Sequence, residues 1–495
     1  MQTEDTQENS EHVEISPVAG PFAEPWSLKK IAGLAAVFGP AAIVASVSIG
    51  AGETIVVVRA GAWAEYNLLW LVLLSCVVKG VFVTYLLGRY TAVSGEYIGH
   101  RLVKLPGPRG WLPIAIVLFE MVGAPLAWVP IAKPCGALLH FLFRETLPSG
   151  AAQPVWENLI TSCFITMALL FGLRISFERL EKQQLIICAI LVVGTIIGTL
   201  IVRPDFGKAL VGSLRFGYLP EFPEWAPQDA VENPLLTMAT AFGYVGGSVM
   251  GYIVYANWVG IHRWGMTGHP DIDAIQSRAS ERDKIDYLPE HSEKVSQLRK
   301  ILAPLRWDIG MGAIVLFIVT AAFMISGAAV LYGMESTFEG WSLLTDQASV
   351  WANIHASLVW VYYICIVVAL WGTLQALPEI YARVMQEFFQ AVWPHREWRY
   401  DTLRKWVCLY IFLTTMVLIW LNIPFDILTQ IAGFILANFS IALMMLAALY
   451  LNAKLPAAYR TRPFMFVGAL ISAAVLVTFA GISGWGLFVK LFAGN

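Results

Sequence analysis

Charge is scarce in this chain: Asp, Glu, Lys and Arg make up 14% of residues against 57% hydrophobic, with a mean hydropathy of +0.64. A soluble domain carries about 25% charge, so this balance excludes one, whereas membrane spans of about 20 apolar residues account for it. The formal net charge is -2, and no basic stretch is interleaved with aromatic residues, which excludes nucleic acid as a partner. CxxC pairs are also absent. The six cysteines, Cys76, Cys135, Cys163, Cys188, Cys365 and Cys408, fall in different apolar spans, which argues against a disulfide framework and reads them as small hydrophobes. His12, His100, His140, His262, His269, His291, His355 and His395 are scattered, with no HExxH and no Cys/His cluster, which argues against an intramembrane metalloprotease. No glycine-rich stretch leads into Lys-Ser/Thr at P-loop spacing, so an ATP-driven engine is unsupported as well. The expectation is a non-enzyme without a cofactor. No Lys or Arg precedes Lys29, while Glu4, Asp5, Glu8, Glu11, Glu14 and Glu24 do, the reverse of a signal peptide. Residues 1–28 read as a disordered acidic cytosolic tail.

What the chain has is two apolar segments broken by glycine: Ser48-Ile49-Gly50-Ala51-Gly52-Glu53-Thr54 and Gly243-Tyr244-Val245-Gly246-Gly247-Ser248-Val249-Met250-Gly251. Glycine disfavours continuous helix, and within hydrocarbon a freed backbone group is tolerated only against protein or a cavity. Paired interruptions in two halves point to a substrate site near the bilayer midplane, as in secondary transporters with inverted repeats.

Hydropathy predicts spans at 31–63 (broken at 50–52), 67–89, 111–143, 156–173, 181–202, 235–260 (broken at 246–251), 308–333, 351–377, 405–421, 427–452 and 463–490. Lys29, Lys30, Arg89, Arg101, Lys104, Arg109, Arg174, Arg179, Lys182, Arg396, Arg399, Arg404, Lys405, Lys454, Arg460 and Arg462 lie on one set of loops. The opposite set holds only Arg144, Arg203, Lys208, Arg215 and Lys490. The richer set reads as cytosolic, which puts the amino terminus inside and, with eleven spans, the carboxyl terminus outside. Residues 261–306 mix both signs of charge and read as a helical or partly disordered cytosolic connector with a solvated face. The proline-rich loop 203–233 reads as irregular, capping an outer vestibule.

Several ordered landmarks resemble the NRAMP family of proton-coupled divalent-metal transporters: Gly39-Pro40, Asn67-Leu68-Leu69-Trp70, Arg179-Leu180-Glu181, Arg203-Pro204-Asp205 and Val384-Met385-Gln386-Glu387-Phe388. The resemblance covers nearly the whole membrane portion and implies an all-α LeuT-type fold. In it two inverted five-helix repeats fill 29–202 and 234–452, helices one and six are broken, the loop 203–233 lies between, and a peripheral eleventh span occupies 453–495. The family's DPGN turn is represented here by Gly50, Ala51, Gly52 and Glu53, so its metal-binding aspartate is absent. Its MPH turn is represented by Met250, Gly251 and Tyr252, and Asn257 stands for a following histidine. The resemblance further implies metal contacts from the Gly247 carbonyl, Met250 and Gln430. Glu120 matches an acidic position on the third helix, where Ala127 and Pro130 fall at the other two.

Each candidate also has a structural reading. Glu53, at a half-helix amino terminus, suits a cation ligand replacing the missing aspartate, with Met250 sulfur favouring Mn²⁺ or Fe²⁺ over harder ions. It equally suits a carboxylate held by free N–H groups and the helix dipole. Met250 doubles as a core gap-filler and Gln430 as interhelical glue. Lys79 and Lys133 need intramembrane partners, and Glu120 or Glu53 are the candidates. A Lys79–Glu53 pair would leave little net negative charge, and so favours a non-metal solute. Arg59 pushes the same way unless it snorkels to the interface. The expectation is therefore a multi-pass plasma-membrane secondary transporter of a divalent metal ion. The alternatives are transport of a non-metal solute, or a transport-inactive sensor or scaffold that uses residues 261–306.

Overall fold

The computed structural model describes residues 13–15, 22–25, 27–50, 52–147, 152–281, 285–338, 343–352 and 355–493. Most of the expected tail over 1–28 and Ala51 lie outside the described residues, as do 282–284 of the connector. Among the described residues the secondary structure is helical throughout. Among them, too, nine unbroken helices are long and apolar enough to cross a membrane, and a tenth span is the bent pair Pro40–Ser48 and Gly52–Ala64. The short helices Pro234–Tyr244 and Val249–Ile261 make the sixth span, giving eleven in order.

Spans two to five are Leu69–Ser94, Trp111–Phe143, Gln153–Arg174 and Phe177–Val202. Spans eight to eleven are Ala356–Val392, Tyr400–Trp420, Phe425–Lys454 and Pro463–Phe492. Span seven is Ala303–Ser326, continued by a π-wound turn at Gly327–Leu331. Span eight runs well past its expected end at 377. Its extra turns carry charge that is internally satisfied: Glu379 pairs with Arg383 at 2.5 Å, and Glu387 accepts hydrogen bonds from the Gly99 N–H at 2.5 Å and Asn257 Nδ2 at 3.1 Å. A hydropathy stop signal fails where carboxylates are paired inside the bundle.

Close helix packing fixes the broken first span against the seventh. A Cβ on Gly61 would lie 2.2 Å from the Met324 carbonyl oxygen, and one on Gly327 2.3 Å from that of Val58. Small residues at both crossings let the two backbones touch, the usual device of membrane helix pairs. At the other end of span seven, Asp308 accepts hydrogen bonds from the Gly39 N–H at 3.0 Å, the Ala41 N–H at 2.9 Å and the Tyr255 hydroxyl at 3.0 Å. One buried carboxylate thereby caps span one and ties it to span six.

The described part of the connector 261–306 packs its apolar residues on the bundle and leaves Asp271, Asp273, Glu281, Glu290, Glu293, Arg299 and Lys300 exposed. It contains helices Ile272–Glu281 and Ser292–Ile301, and its Tyr287 is fully buried with the hydroxyl donating to the Ser94 carbonyl at 2.6 Å. Arg101, paired with Glu96 at 2.7 Å, also donates to the Ala279 carbonyl at 3.3 Å. The Val13 N–H donates to the Tyr287 carbonyl at 3.0 Å and Gln297 Nε2 to the Ile15 carbonyl at 2.8 Å, so even this described piece of the tail is pinned to the connector. The outer loop 203–233 is partly helical, at Phe206–Leu214 and Gln228–Glu232.

Gly327→Val forces a branched side chain against the Val58 carbonyl and should cost about 1–3 kcal/mol by overpacking. The variant is expected to lower the thermal midpoint in detergent, whereas Gly310→Ala, where a Cβ meets nothing within 4 Å, should leave it unchanged.

Candidate functional site

The two breaks meet at a cavity of about 110 Å³ in the middle of the bundle. Gly50 and Gly52 reach it from span one, and Gly246, Gly247, Ser248 and Gly251 from span six. Gly246 and Gly247 have φ of 99° and 79°, the left-handed region in which glycine alone is unstrained. A Cβ on Gly52 would sit 2.6 Å from the Tyr244 carbonyl oxygen, so the absent side chain there lets the two unwound segments approach. Spans three, eight and ten close the walls with Trp128, Ile131, Thr373, Tyr381, Gly433 and Leu436. π-wound turns at Gly52–Val56, Cys76–Val83 and Gly433–Phe439 surround the same region.

Side chains satisfy the backbone groups that the sixth span frees. Lys79 is fully buried, and its ammonium donates to the carbonyls of Phe242 at 2.6 Å and Gly243 at 2.8 Å. The ammonium also lies 4.7 Å from the centroid of the Phe242 ring. The Ser75 hydroxyl, one helical turn earlier on the same face of span two, reaches the carbonyls of Phe242 at 3.1 Å and Val245 at 2.9 Å. The Tyr252 hydroxyl donates to the Gly246 carbonyl. Glu53, also fully buried, spans both breaks: Oε1 accepts from the Gly246 N–H and Oε2 from the Gly50 N–H, each at 3.2 Å. One carboxylate holds the amide groups of two broken helices, and one ammonium holds the carbonyls.

The other sequence candidates are distributed differently. Met250 is fully buried but does not line the cavity: Gly247, Ser248 and Gly251 do, and at 100° per residue the position before Gly251 is turned away. Asn257 lies more than a turn beyond Gly251, bonded to Glu387, and joins a structural network. Gln430 opens to a separate outer cavity of about 330 Å³, where its Nε2 donates to Asp229 at 2.8 Å and its Oε1 accepts from Lys490 at 2.9 Å. Met250, Asn257 and Gln430 therefore do not assemble with Glu53 into a ligand set. Among the described residues no group of three or more His, Cys, Asp or Glu side chains is placed to hold a metal ion.

The basic residues do not find the expected carboxylates either. Neither Lys79 nor Lys133 forms an ion pair with Glu120 or Glu53; Lys133 donates to Asn422 Oδ1 at 2.7 Å. Arg59 pairs with Asp426 at 2.7 Å across the outer cavity instead of snorkelling, and stacks 4.4 Å from Trp63. Glu120 accepts from the Tyr381 hydroxyl at 3.0 Å, beside the cavity wall. Cavity-lining Trp128, Tyr244, Tyr381 and Thr373 escaped sequence reading, because an aromatic or hydroxyl residue in an apolar span carries no spacing signal. Ser75 with Lys79 did carry one, as two polar residues four apart in hydrocarbon.

Broken helices one and six facing a mid-bundle cavity are the layout of the LeuT-type fold. The family model described as natural resistance-associated macrophage protein-like (Nramp) matches residues 41–486, and the chain belongs to that family. The divalent metal cation transporter MntH of Latilactobacillus sakei subsp. sakei (strain 23K) is 23% identical over 303 residues, which cover 61% of this chain and 56% of that protein. The chain thus matches a little over half the length of that relative. In fold it is similar to a single-residue mutant of the Eremococcus coleocola manganese transporter, with TM-score 0.64 and 14% identity over 95% of this chain and 91% of the other. It is also similar to Mhp1, a nucleobase-cation-symport-1 family transporter with bromovinylhydantoin bound, at TM-score 0.52 and 13% identity over 92% and 93% of the two chains.

Removing Lys79 leaves the Phe242 and Gly243 carbonyls buried without this donor. Lys79→Met should therefore cost about 1–3 kcal/mol of stability. In a double-mutant cycle with Glu53→Gln, read by denaturant or thermal unfolding in detergent, a coupling of about 1–3 kcal/mol is expected. Strictly additive losses would show that the two charges do not act as a unit.

Proposed function

We propose that this chain is a secondary transporter that carries a divalent metal ion by alternating access, with its substrate station at the cavity between the broken first and sixth spans. The observation that carries the station is the convergence of both unwound segments on one cavity, with the Glu53 carboxylate, which does not itself line the cavity, bridging them. Family membership and the similarity to divalent metal cation transporters support the metal. An incoming cation would replace the Gly50 and Gly246 N–H groups as the partner of Glu53, so binding and rearrangement of both breaks are one event. The inverted repeats over 29–202 and 234–452 supply the two bundles that rock, and span eleven stays peripheral. The Lys/Arg asymmetry of the loops supports a plasma-membrane protein with the amino terminus in the cytosol and the carboxyl terminus outside.

A second reading, a small neutral organic solute on the same pathway, is favoured by a specific observation. The Lys79 ammonium is held at the same break of the sixth span as the Glu53 carboxylate, without an ion pair between them, so a basic group already stands close to where a divalent ion would bind. The Tyr244 hydroxyl, on a cavity-lining residue, is buried without a hydrogen-bond partner among the described residues, as a site for a polar organic ligand would leave it. Nothing observed favours a transport-inactive scaffold, since the connector 261–306 is folded against the bundle.

Uptake into proteoliposomes separates the readings. On the metal reading Mn²⁺ flux is saturable, falls at least about tenfold with Glu53→Gln (~1.4 kcal/mol or more), and is spared by Trp128→Ala and Met250→Ala. Absence of Mn²⁺ binding, together with saturable organic-solute uptake that falls with Trp128→Ala, would replace it by the second reading.

A further inference from the structure

Away from the broken helices, a groove of about 510 Å³ opens where three spans end together: before Trp111, after Val392 and before Tyr400. Arg109, His395 and Arg396 line it, and among the described residues no carboxylate does. None of these three has an ion-pair partner among the described residues, unlike Arg59, Arg101 and Arg383, which are all paired. The neighbouring Glu397 is exposed and does not line the groove.

The groove is built rather than frayed. Its wall residues Trp393 and Trp398 belong to a tilted aromatic cluster, with centroids 5.9 Å apart and that of Phe389 4.9 Å from Trp398. Arg396 lies 4.5 Å over the Trp398 ring, which fixes the plane of its guanidinium. Gln386 Nε2 donates to the Trp398 carbonyl at 2.9 Å and holds the turn to span eight. On the opposite wall Gly110, at φ 74°, brings Arg109 up to Val392, and a Cβ there would lie 3.0 Å from Val392 Cγ2. The Trp398 indole N–H is buried with no acceptor among the described residues. Two guanidinium groups and an imidazole around one space call for an anion with several acceptor oxygens, and paired guanidinium recognition matches a phosphate.

Depth decides which phosphate. The groove sits at the ends of membrane spans and is walled by tryptophan, the residue that concentrates at headgroup level. Basic pockets between transmembrane helices at this level hold phosphate-bearing headgroups, with the acyl chains lying along the apolar spans. We propose that this groove is a binding site for the headgroup of an anionic phospholipid, held by Arg109 and Arg396, with Trp393 and Trp398 against its glycerol region.

The test uses the full-length purified protein in a neutral detergent, with native mass spectrometry and thermal stability as readouts for added phosphatidylglycerol, phosphatidylcholine or inorganic phosphate. The proposal expects phosphatidylglycerol to be retained over phosphatidylcholine and to raise the thermal midpoint. It expects the exposed double variant Arg109→Gln/Arg396→Gln to lose that preference at least about fivefold, and Arg396→Lys, which keeps charge but not the stacked fork, to lose part of it. A control pair on another loop, Lys454→Gln/Arg460→Gln, should keep it. Equal retention by the groove variant, or equal loss in the control pair, would overturn the site. Protection by inorganic phosphate as strong as by the lipid would overturn the lipid as its ligand.

Discussion

Hydrocarbon offers no water to a backbone group that has lost its helical partner, and the architecture of this protein follows from how it meets that constraint at the sixth span. The carbonyls of Phe242, Gly243, Val245 and Gly246 and the Gly246 N–H are left over where the span unwinds between Tyr244 and Val249, and Lys79, Ser75, Tyr252 and Glu53 take them up. Each unmet group would cost several kcal/mol in a membrane interior, so the break exists because these side chains exist. Glu53 extends the arrangement to the first span. The two breaks are therefore mechanically one object, and any ligand that draws Glu53 away must disturb both.

That object is suspended between two sets of polar ties. On one side Asp308 fastens the start of span one to span six through Gly39, Ala41 and Tyr255. On the other, Arg59 joins the outer half of span one to Asp426 at the start of span ten, while Lys490 and Gln430 meet on Asp229. The Asp308 and Arg59 ties cross between the two halves of the chain, whereas the Asp229 tie joins the outer loop to spans ten and eleven. Glycine contacts bring spans one and seven into backbone contact.

Much of the fold was legible in the sequence, because eleven apolar stretches and two glycine clusters carry the information directly. The spans, the breaks and the Gly246-Gly247 turn follow from hydropathy and glycine content. The end of span eight did not, since Glu379, Arg383 and Glu387 look like a loop until their partners are known. The site was legible in part. Gly50, Gly52 and Gly247, which line the cavity, could be found because they sit in the breaks themselves, but the places of Glu53, which bridges the breaks without lining the cavity, and of Met250 depend on how the half-helices are turned. Gln430 lies three residues before the cavity-lining Gly433, a difference of height along span ten that no motif encodes. The partner of Lys79 was also hidden, for backbone carbonyls freed by a bend leave no trace in composition.

Experimental maps of the protein in a lipid environment, recorded with and without Mn²⁺, test the central claim most directly. The account predicts that without added metal the Lys79 ammonium lies on the Phe242 and Gly243 carbonyls and the Glu53 carboxylate joins Gly50 to Gly246, with span six unwound between Tyr244 and Val249. A continuous sixth helix, or Lys79 turned away with an ion seated on those carbonyls, would contradict it.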